Sequence, residues 1–177
     1  HRAGAGRNVC PCFEITERKK LRTMQITFYD TRVTGKHRTI LVEEKTVDYT
    51  ADRLNQPADA VEMINDLTSL KELGEEHCYM VAMNNRNRVI GIFLISKGTA
   101  TNGLVGAREV FMRALLIGAV KIILLHNHPS ADCVPSMEDN LLTKSISKGK
   151  SFTGIHLYDH IIVGGDAYFS FKEHEML

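Results

Sequence analysis

The 177-residue chain has almost no excess of charge of either sign: 22 lysines and arginines stand against 21 aspartates and glutamates, a formal net of +1. Proteins that bind nucleic acid usually concentrate positive charge on one face, so no global electrostatic argument points to DNA or RNA. The short basic run Arg18 to Arg22 reads as a solvated tail. Long apolar runs are also missing. Nothing approaches the roughly 18 uninterrupted residues of a membrane-spanning helix, and the first residues lack the apolar core of a secretory signal. A cytoplasmic protein without membrane contact is therefore expected. Cysteine is scarce: Cys10, Cys12, Cys78 and Cys133 have no framework spacing, which argues against a disulfide scaffold and agrees with a reducing compartment. Cys10-Pro11-Cys12 has no partner pair with which to build a metal site.

What is present is an apolar fraction of 44%, enough for one substantial core, and a clear order of periodic segments. Residues 1–23 mix Gly, Arg and Lys without a period and read as a leader or disordered arm, with Met24 as an alternative start. Gln25 to Thr34 and Arg38 to Tyr49 are rich in β-branched and aromatic residues around Thr34-Gly35-Lys36, which predicts a β-hairpin extension over residues 24–56. The main domain then covers residues 57–177. Pro57 opens a helix whose apolar positions Ala60, Val61, Ile64, Leu67 and Leu70 carry it to about Leu73, with Gly74 as its stop. Two strands follow around the turn Asn84-Asn85-Arg86-Asn87. A loop from Gly98 to Gly106, a helix from Ala107 to Ile117 and an apolar strand from Val120 to Leu125 come next. A helix from Met137 to about Lys148, stopped at Gly149, and strands at His156 to Val163 and Tyr168 to Phe171 complete the order. The strands are apolar on both faces, so the fold class expected is α/β, a mixed sheet sandwiched by helices.

The chemistry concentrates in Leu124-Leu125-His126-Asn127-His128-Pro129 and in Pro135-Ser136-Met137-Glu138-Asp139. Alternation along a strand sends His126 and His128 to one face, and Asp139 falls in the first turn of a helix that begins at Ser136. Two histidines and one aspartate are ligand types that hold a catalytic zinc with the fourth position left to water. Each has an ordinary reading as well: a core histidine at a strand end, and a capping box in which Ser136 caps and Asp139 answers at N3. The convergence of a strand-end His pair, a turn-forcing Pro129 and an acidic first-turn residue favours the metal site, and capping and ligation can coexist. Zinc suits mixed nitrogen and oxygen ligation, magnesium rarely takes imidazole, and iron and manganese stay open.

The spacing His-x-His-x7-Ser-x2-Asp resembles the JAMM signature of the JAB/MPN metalloproteases, and His126-Asn127-His128-Pro129-Ser130 is similar to the RadC-like branch. Gly98-Thr99, Arg108-Glu109-Val110-Phe111, Asp159-His160-Ile161-Ile162-Val163-Gly164 and Tyr168-Phe169-Ser170 resemble further landmarks of that branch, in order, over roughly Pro57 to Phe171. The resemblance implies a cytidine-deaminase-like JAB/MPN fold, one Zn2+ per chain held by His126, His128 and Asp139, and hydrolysis of a peptide or isopeptide amide by a metal-activated water. It implies a glutamate base at the start of an early strand, which matches Glu76, with Glu75 and Glu109 as alternatives. Ser136 matches the motif serine, expected to hydrogen-bond the oxyanion or the water. Asp159 and His160 either orient a ligand imidazole or form an ordinary buried pair.

Two positions depart from the family wording. Gly106 stands where a histidine is usual, which removes an imidazole from the substrate side, and Ala131 replaces the glycine of Pro-Ser-Gly. Cys133, inside the metal loop, is a bystander or a thiol able to reach the metal. Two rival functions come from other classes. One is a DNA-associated protein of repair or mobile elements, or a phosphodiester hydrolase; these residues leave no room for the helix-hairpin-helix module that RadC-like proteins often carry. The other is a binding module whose metal is structural. The partner expected is a peptide or protein substrate; its identity and the oligomeric state are unspecified.

Overall fold

A computed structural model describes residues 23–51, 53–98 and 105–177. Residues 1–22 of the expected leader, with Cys10 and Cys12, lie outside the described residues, as do Thr99 and Gly103 of the loop. The elements are β1 (Met24–Val33), β2 (Thr39–Tyr49), α1 (Pro57–Thr68), β3 (Glu76–Met83), β4 (Val89–Gly98), α2 (Ala107–Leu116), β5 (Lys121–Asn127), α3 (Met137–Thr153), β6 (His156–Gly164) and β7 (Ala167–Ser170). Among the described residues no helix is long and apolar enough to cross a membrane.

Among the described residues, seven strands join one sheet in the order β2-β1-β4-β3-β5-β6-β7. It is mixed: β3 runs antiparallel to β4 and β5, whereas β5 is parallel to β6. Because β3 and β5 are central, their side chains are buried on both faces, and alternate residues feed two cores. Val81, Leu125 and Ile161 pack with Met63 and Ile64 of α1 on one side. Met80, Ala82, Ile122 and Leu124 pack with Val110 and Ala114 of α2 and Ile146 of α3 on the other. The α/β sandwich expected from the sequence is thus the observed architecture. The parity also places the site: His126 continues the row of Ile122 and Leu124, so it points toward α3.

The hairpin expected over residues 24–56 continues the sheet. β1 pairs with β2 from Met24↔Tyr49 to Val33↔Thr39, meets β4 in parallel at Phe28↔Ile92, and buries Ile26 and Phe28 in the α1-side core.

Two helix ends differ from the sequence reading. α1 stops at Thr68, because Ser69 turns left-handed (φ 53) and its N–H caps Asn65 O; Leu70–Glu72 then form a separate 3-10 turn, and Gly74 is not the terminator. Leu70 is buried, so its helical spacing carried the apparent period past the true end. In α3 the expected stop at Gly149 is an interior position, and the helix runs to Thr153 with Gly154 as its left-handed cap. Gly149 lacks a side chain because the Phe111 ring of α2 occupies that space.

Candidate metal centre

β5 is locked between two neighbours at its C-terminal end, with His126 opposite Cys78 of β3 and Ile162 of β6. The ladder continues one step past the strand, where His128 N donates to Val163 O at 2.8 Å. Pro129 then turns the chain away, and the loop returns to Ser136, the N-cap of α3. The capping box forms as expected: Asp139 N donates to Ser136 Oγ (3.1 Å), while Asp139 Oδ2 accepts from Ser136 N (2.8 Å) and Ser136 Oγ (2.6 Å). The same carboxylate meets the histidines, with Oδ1 3.1 Å from His126 Nε2 and Oδ2 3.5 Å from His128 Nε2. The two Nε2 atoms are 3.1 Å apart. Capping and convergence on the histidines therefore coexist in one side chain.

These distances decide what the cluster suits. Zinc bonds of about 2.0–2.1 Å in a tetrahedron set donor atoms about 3.3 Å apart; here the two Nε2 atoms are 3.1 Å apart, and the carboxylate meets each histidine with a different oxygen, at 3.1 and 3.5 Å. His128 Nδ1 lies 2.7 Å from the carbonyl of Asp132, which only accepts, so Nδ1 carries the proton. Neutral His128 then offers Nε2 as a lone pair. An anionic carboxylate and two imidazole nitrogens so close together need a shared proton or a cation among them.

The electrostatics report the same crowding. Burial works to raise the Asp139 carboxyl, but hydrogen bonds from His126, His128 and Ser136 outweigh it and hold the group far below the usual carboxylate range. His128 is raised, chiefly by its hydrogen bond to Asp139, against the opposing effect of burial. Cys78 is buried next to His126, and burial, Glu76 and Asp139 together push its thiol far above its usual range.

Behind the cluster stands His160, wholly buried, with Nε2 3.1 Å from His126 Nδ1 and Nδ1 2.6 Å from Thr143 Oγ1. Burial, reinforced by the His126 and His128 charges, drives its pKa down to about 3. His126, Asp139 and His160 offer ligand atoms within 4.8 Å of one another and form a second candidate trio. Both His160 nitrogens already face a partner, however, whereas His128 Nε2 faces the shared centre.

Glu76, the first residue of β3, is two residues before Cys78. Extending the Cys78↔His126 register by two residues sets Glu76 opposite His128 on the same face. The carboxylate of Glu76 contributes to the shifts of both His128 and Cys78. The alternatives lie elsewhere: Glu75 pairs with Lys97 at 3.5 Å, and Glu109 pairs with Arg108 at 3.1 Å at the start of α2. Cys133 is a free, half-buried thiol in the loop between β5 and α3.

Of the Asp159-His160 pair, only His160 faces the cluster. Asp159 accepts from His160 N, Lys172 N and Ser170 Oγ, tying β6 to the C-terminal turn. Sequence reasoning missed two further groups. Asn127, between the two histidines, points the other way: it accepts from His77 N (2.8 Å) and donates to Leu73 O and Glu75 O (3.1 Å each), stapling the chain that delivers Glu76. Thr143 lies one helical turn beyond Asp139, a spacing that identifies it as a neighbour once Asp139 is recognised.

Comparison with known proteins matches residues 54–176 to the family model described as the RadC-like JAB domain. The chain is 38% identical over 125 residues to a UPF0758 protein of Clostridium acetobutylicum, covering 71% of this chain and 54% of that protein. A UPF0758 protein of Desulfitobacterium hafniense is 39% identical over 124 residues, covering 70% and 54%. One from Listeria innocua is 37% identical over 139 residues, covering 78% and 59%. The chain thus spans little more than half the length of these curated relatives.

Proposed function

This chain belongs to the RadC-like JAB domain family, and on that premise we propose that it is a zinc-dependent hydrolase of peptide or isopeptide amides, with one Zn2+ per chain held by His126, His128 and Asp139. The observation that carries the reading is the convergence of two Nε2 atoms 3.1 Å apart on the Asp139 carboxylate, whose Oδ1 lies 3.1 Å from that of His126 and whose Oδ2 lies 3.5 Å from that of His128, close to the spacing of tetrahedral zinc ligands. Bound there, zinc supplies Lewis acidity and makes a water nucleophile available near neutral pH.

The remaining work falls to the chain's own groups. Glu76, on the face of His128, takes the proton of the attacking water and passes it to the leaving amine. Ser136 holds Asp139 through both its N–H and its hydroxyl, so the carboxylate keeps one orientation. When the Ser136 hydroxyl turns to a substrate oxygen, the backbone N–H still retains the carboxylate. Asn127 keeps Glu76 in place from the opposite face through its bonds to Glu75 O and His77 N. A polypeptide is favoured over DNA as the substrate because a net charge of +1 offers little to a phosphate backbone.

Metal analysis and hydrolysis together test the reading. Protein purified without added zinc is expected to hold about one zinc per chain, and Asp139→Ala or the double change of His126 and His128 to Ala loses it. Glu76→Gln keeps metal and fold but loses chelator-sensitive cleavage of a peptide and isopeptide panel. Stoichiometric metal in the double-histidine variant, or parental cleavage by Glu76→Gln, overturns the assignment.

A further inference from the structure

We infer that the buried pair His160 and Thr143 is a positioning relay that selects the tautomer of His126 able to hold a metal. The inference rests on the metal reading above and concerns residues outside the ligand trio. The relay is a chain of three short contacts: His126 Nδ1 to His160 Nε2 at 3.1 Å, His160 Nδ1 to Thr143 Oγ1 at 2.6 Å, and Thr143 Oγ1 to the Asp139 carbonyl at 2.6 Å. Each neutral imidazole has one N–H and one lone pair, and the hydroxyl has a single proton. The direction at one end therefore sets the direction of the whole chain.

The Asp139 carbonyl can only accept. When the Thr143 hydroxyl donates to it, Thr143 Oγ1 accepts from His160 Nδ1, and His160 Nε2 is left as a lone pair. His126 must then donate through Nδ1, which frees Nε2 toward Asp139 and His128. In the opposite direction Thr143 donates to His160, His160 Nε2–H donates to His126, and the proton stays on His126 Nε2, where it competes with a metal. The relay is built into the core. His160 is wholly buried and stacks on Phe171 with ring centroids 5.0 Å apart and planes inclined by 7°. Thr143 is buried on α3 one turn after Asp139, so the helix that supplies the carboxylate also supplies the terminal acceptor.

The test uses the whole chain and the metal itself. Co2+ affinity is measured by chelator competition together with the visible spectrum of the bound ion. Ring 15N NMR of the zinc-loaded protein locates the proton on His160. His160→Phe keeps the stacking on Phe171 but removes the acceptor, and should weaken Co2+ binding by about 10–100-fold, with an altered spectrum. Thr143→Val, near in shape but without a hydroxyl, should weaken it by about tenfold, and Thr143→Ser should restore the parental affinity and spectrum. In the zinc-loaded parent the proton should reside on His160 Nδ1. If His160→Phe fails to fold, the contrast between Thr143→Val and Thr143→Ser decides. Parental Co2+ affinity in both His160→Phe and Thr143→Val, or a proton on His160 Nε2 with zinc bound, overturns the relay while leaving the metal reading intact. A parent that binds no metal overturns that reading and the relay with it. Loss of stoichiometric metal in His160→Phe but not in His128→Ala would make His160 a ligand, and the relay would be wrong.

Discussion

Gly164 touches none of the proposed ligands, yet Gly164→Ala should weaken metal binding. A Cβ at this last position of β6 would lie 2.7 Å from Cys133 N, 2.8 Å from Ala131 O and 2.9 Å from Ala131 C. All three atoms belong to backbone, so no side chain can swing aside. To reach 3.4 Å, where ordinary contact begins, the loop must retreat by 0.5–0.7 Å. That loop carries the Asp132 carbonyl, which holds His128 Nδ1 at 2.7 Å. A shift of this size takes the bond to the edge of hydrogen-bonding range and releases the imidazole whose Nε2 faces the centre. Overpacking of this kind costs about 1–3 kcal/mol in stability, and loss of a ligand's orienting partner costs about 10–100-fold in metal affinity. Urea unfolding of chelated protein measures the first effect and chelator competition with zinc the second. Affinity within about twofold of the parent, against the 10–100-fold expected, would show that the loop does not set the orientation of His128.

Ala131→Gly is expected to stabilise the protein by about 0.5–1 kcal/mol, because Ala131 is held at φ 62, where a Cβ is strained and glycine is not; a lower urea midpoint would contradict this. Asn127→Ala strands His77 N and Leu73 O, while Glu75 O keeps the His77 Nδ1 donor, and should cost about 2–3 kcal/mol and reduce hydrolysis far more than zinc affinity; equal loss of both would place Asn127 in the metal site instead. For chelated protein, thermal melts should show stability falling as pH drops. His160 has a folded pKa of about 3 against an ordinary 6.5, so the unfolded chain binds the extra proton and stability is lost from about pH 6.5 downward. The depressed Asp139 adds to the loss below pH 3.8, while the raised His128 contributes stability below pH 6.5 that fades as pH rises through its folded value. The raised Asp159 opposes this loss as pH falls through its folded value, so the His160 contribution is read against His160→Phe; a fall between pH 6.5 and 4 as steep in that variant as in the parent would refute the assignment of a neutral, buried His160.

What could be read from sequence was whatever is local. His126 and His128 share a face because a strand alternates, and Asp139 falls at N3 because Ser136 starts a helix; both follow from spacing alone. Glu76 needed the family wording, and its side of the sheet follows from the β3–β5 register that sets Cys78 opposite His126, which no short-range pattern sets. His160 approaches His126 across 34 residues of chain, and Asn127 reaches His77 across 50. Such contacts are decided by how β6 and β3 flank β5, so the sequence offered Asp159-His160 as a pair without saying which member faces the site. The misplaced ends of α1 and α3 have a simpler cause. Ser69 takes a left-handed cap that glycine more often supplies, and Gly149 serves helix packing rather than termination.

In the proposed centre two imidazoles and one carboxylate, and no other protein group, hold the metal. X-ray absorption at the zinc edge of the loaded protein reads this directly. Two imidazole nitrogens and carboxylate oxygen are expected at about 2.0–2.1 Å with no sulfur, a pattern that survives Cys133→Ser and Cys78→Ser unchanged. A sulfur scatterer at about 2.3 Å, or a third imidazole that disappears with His160→Phe, would contradict it and leave the fourth position closed to water.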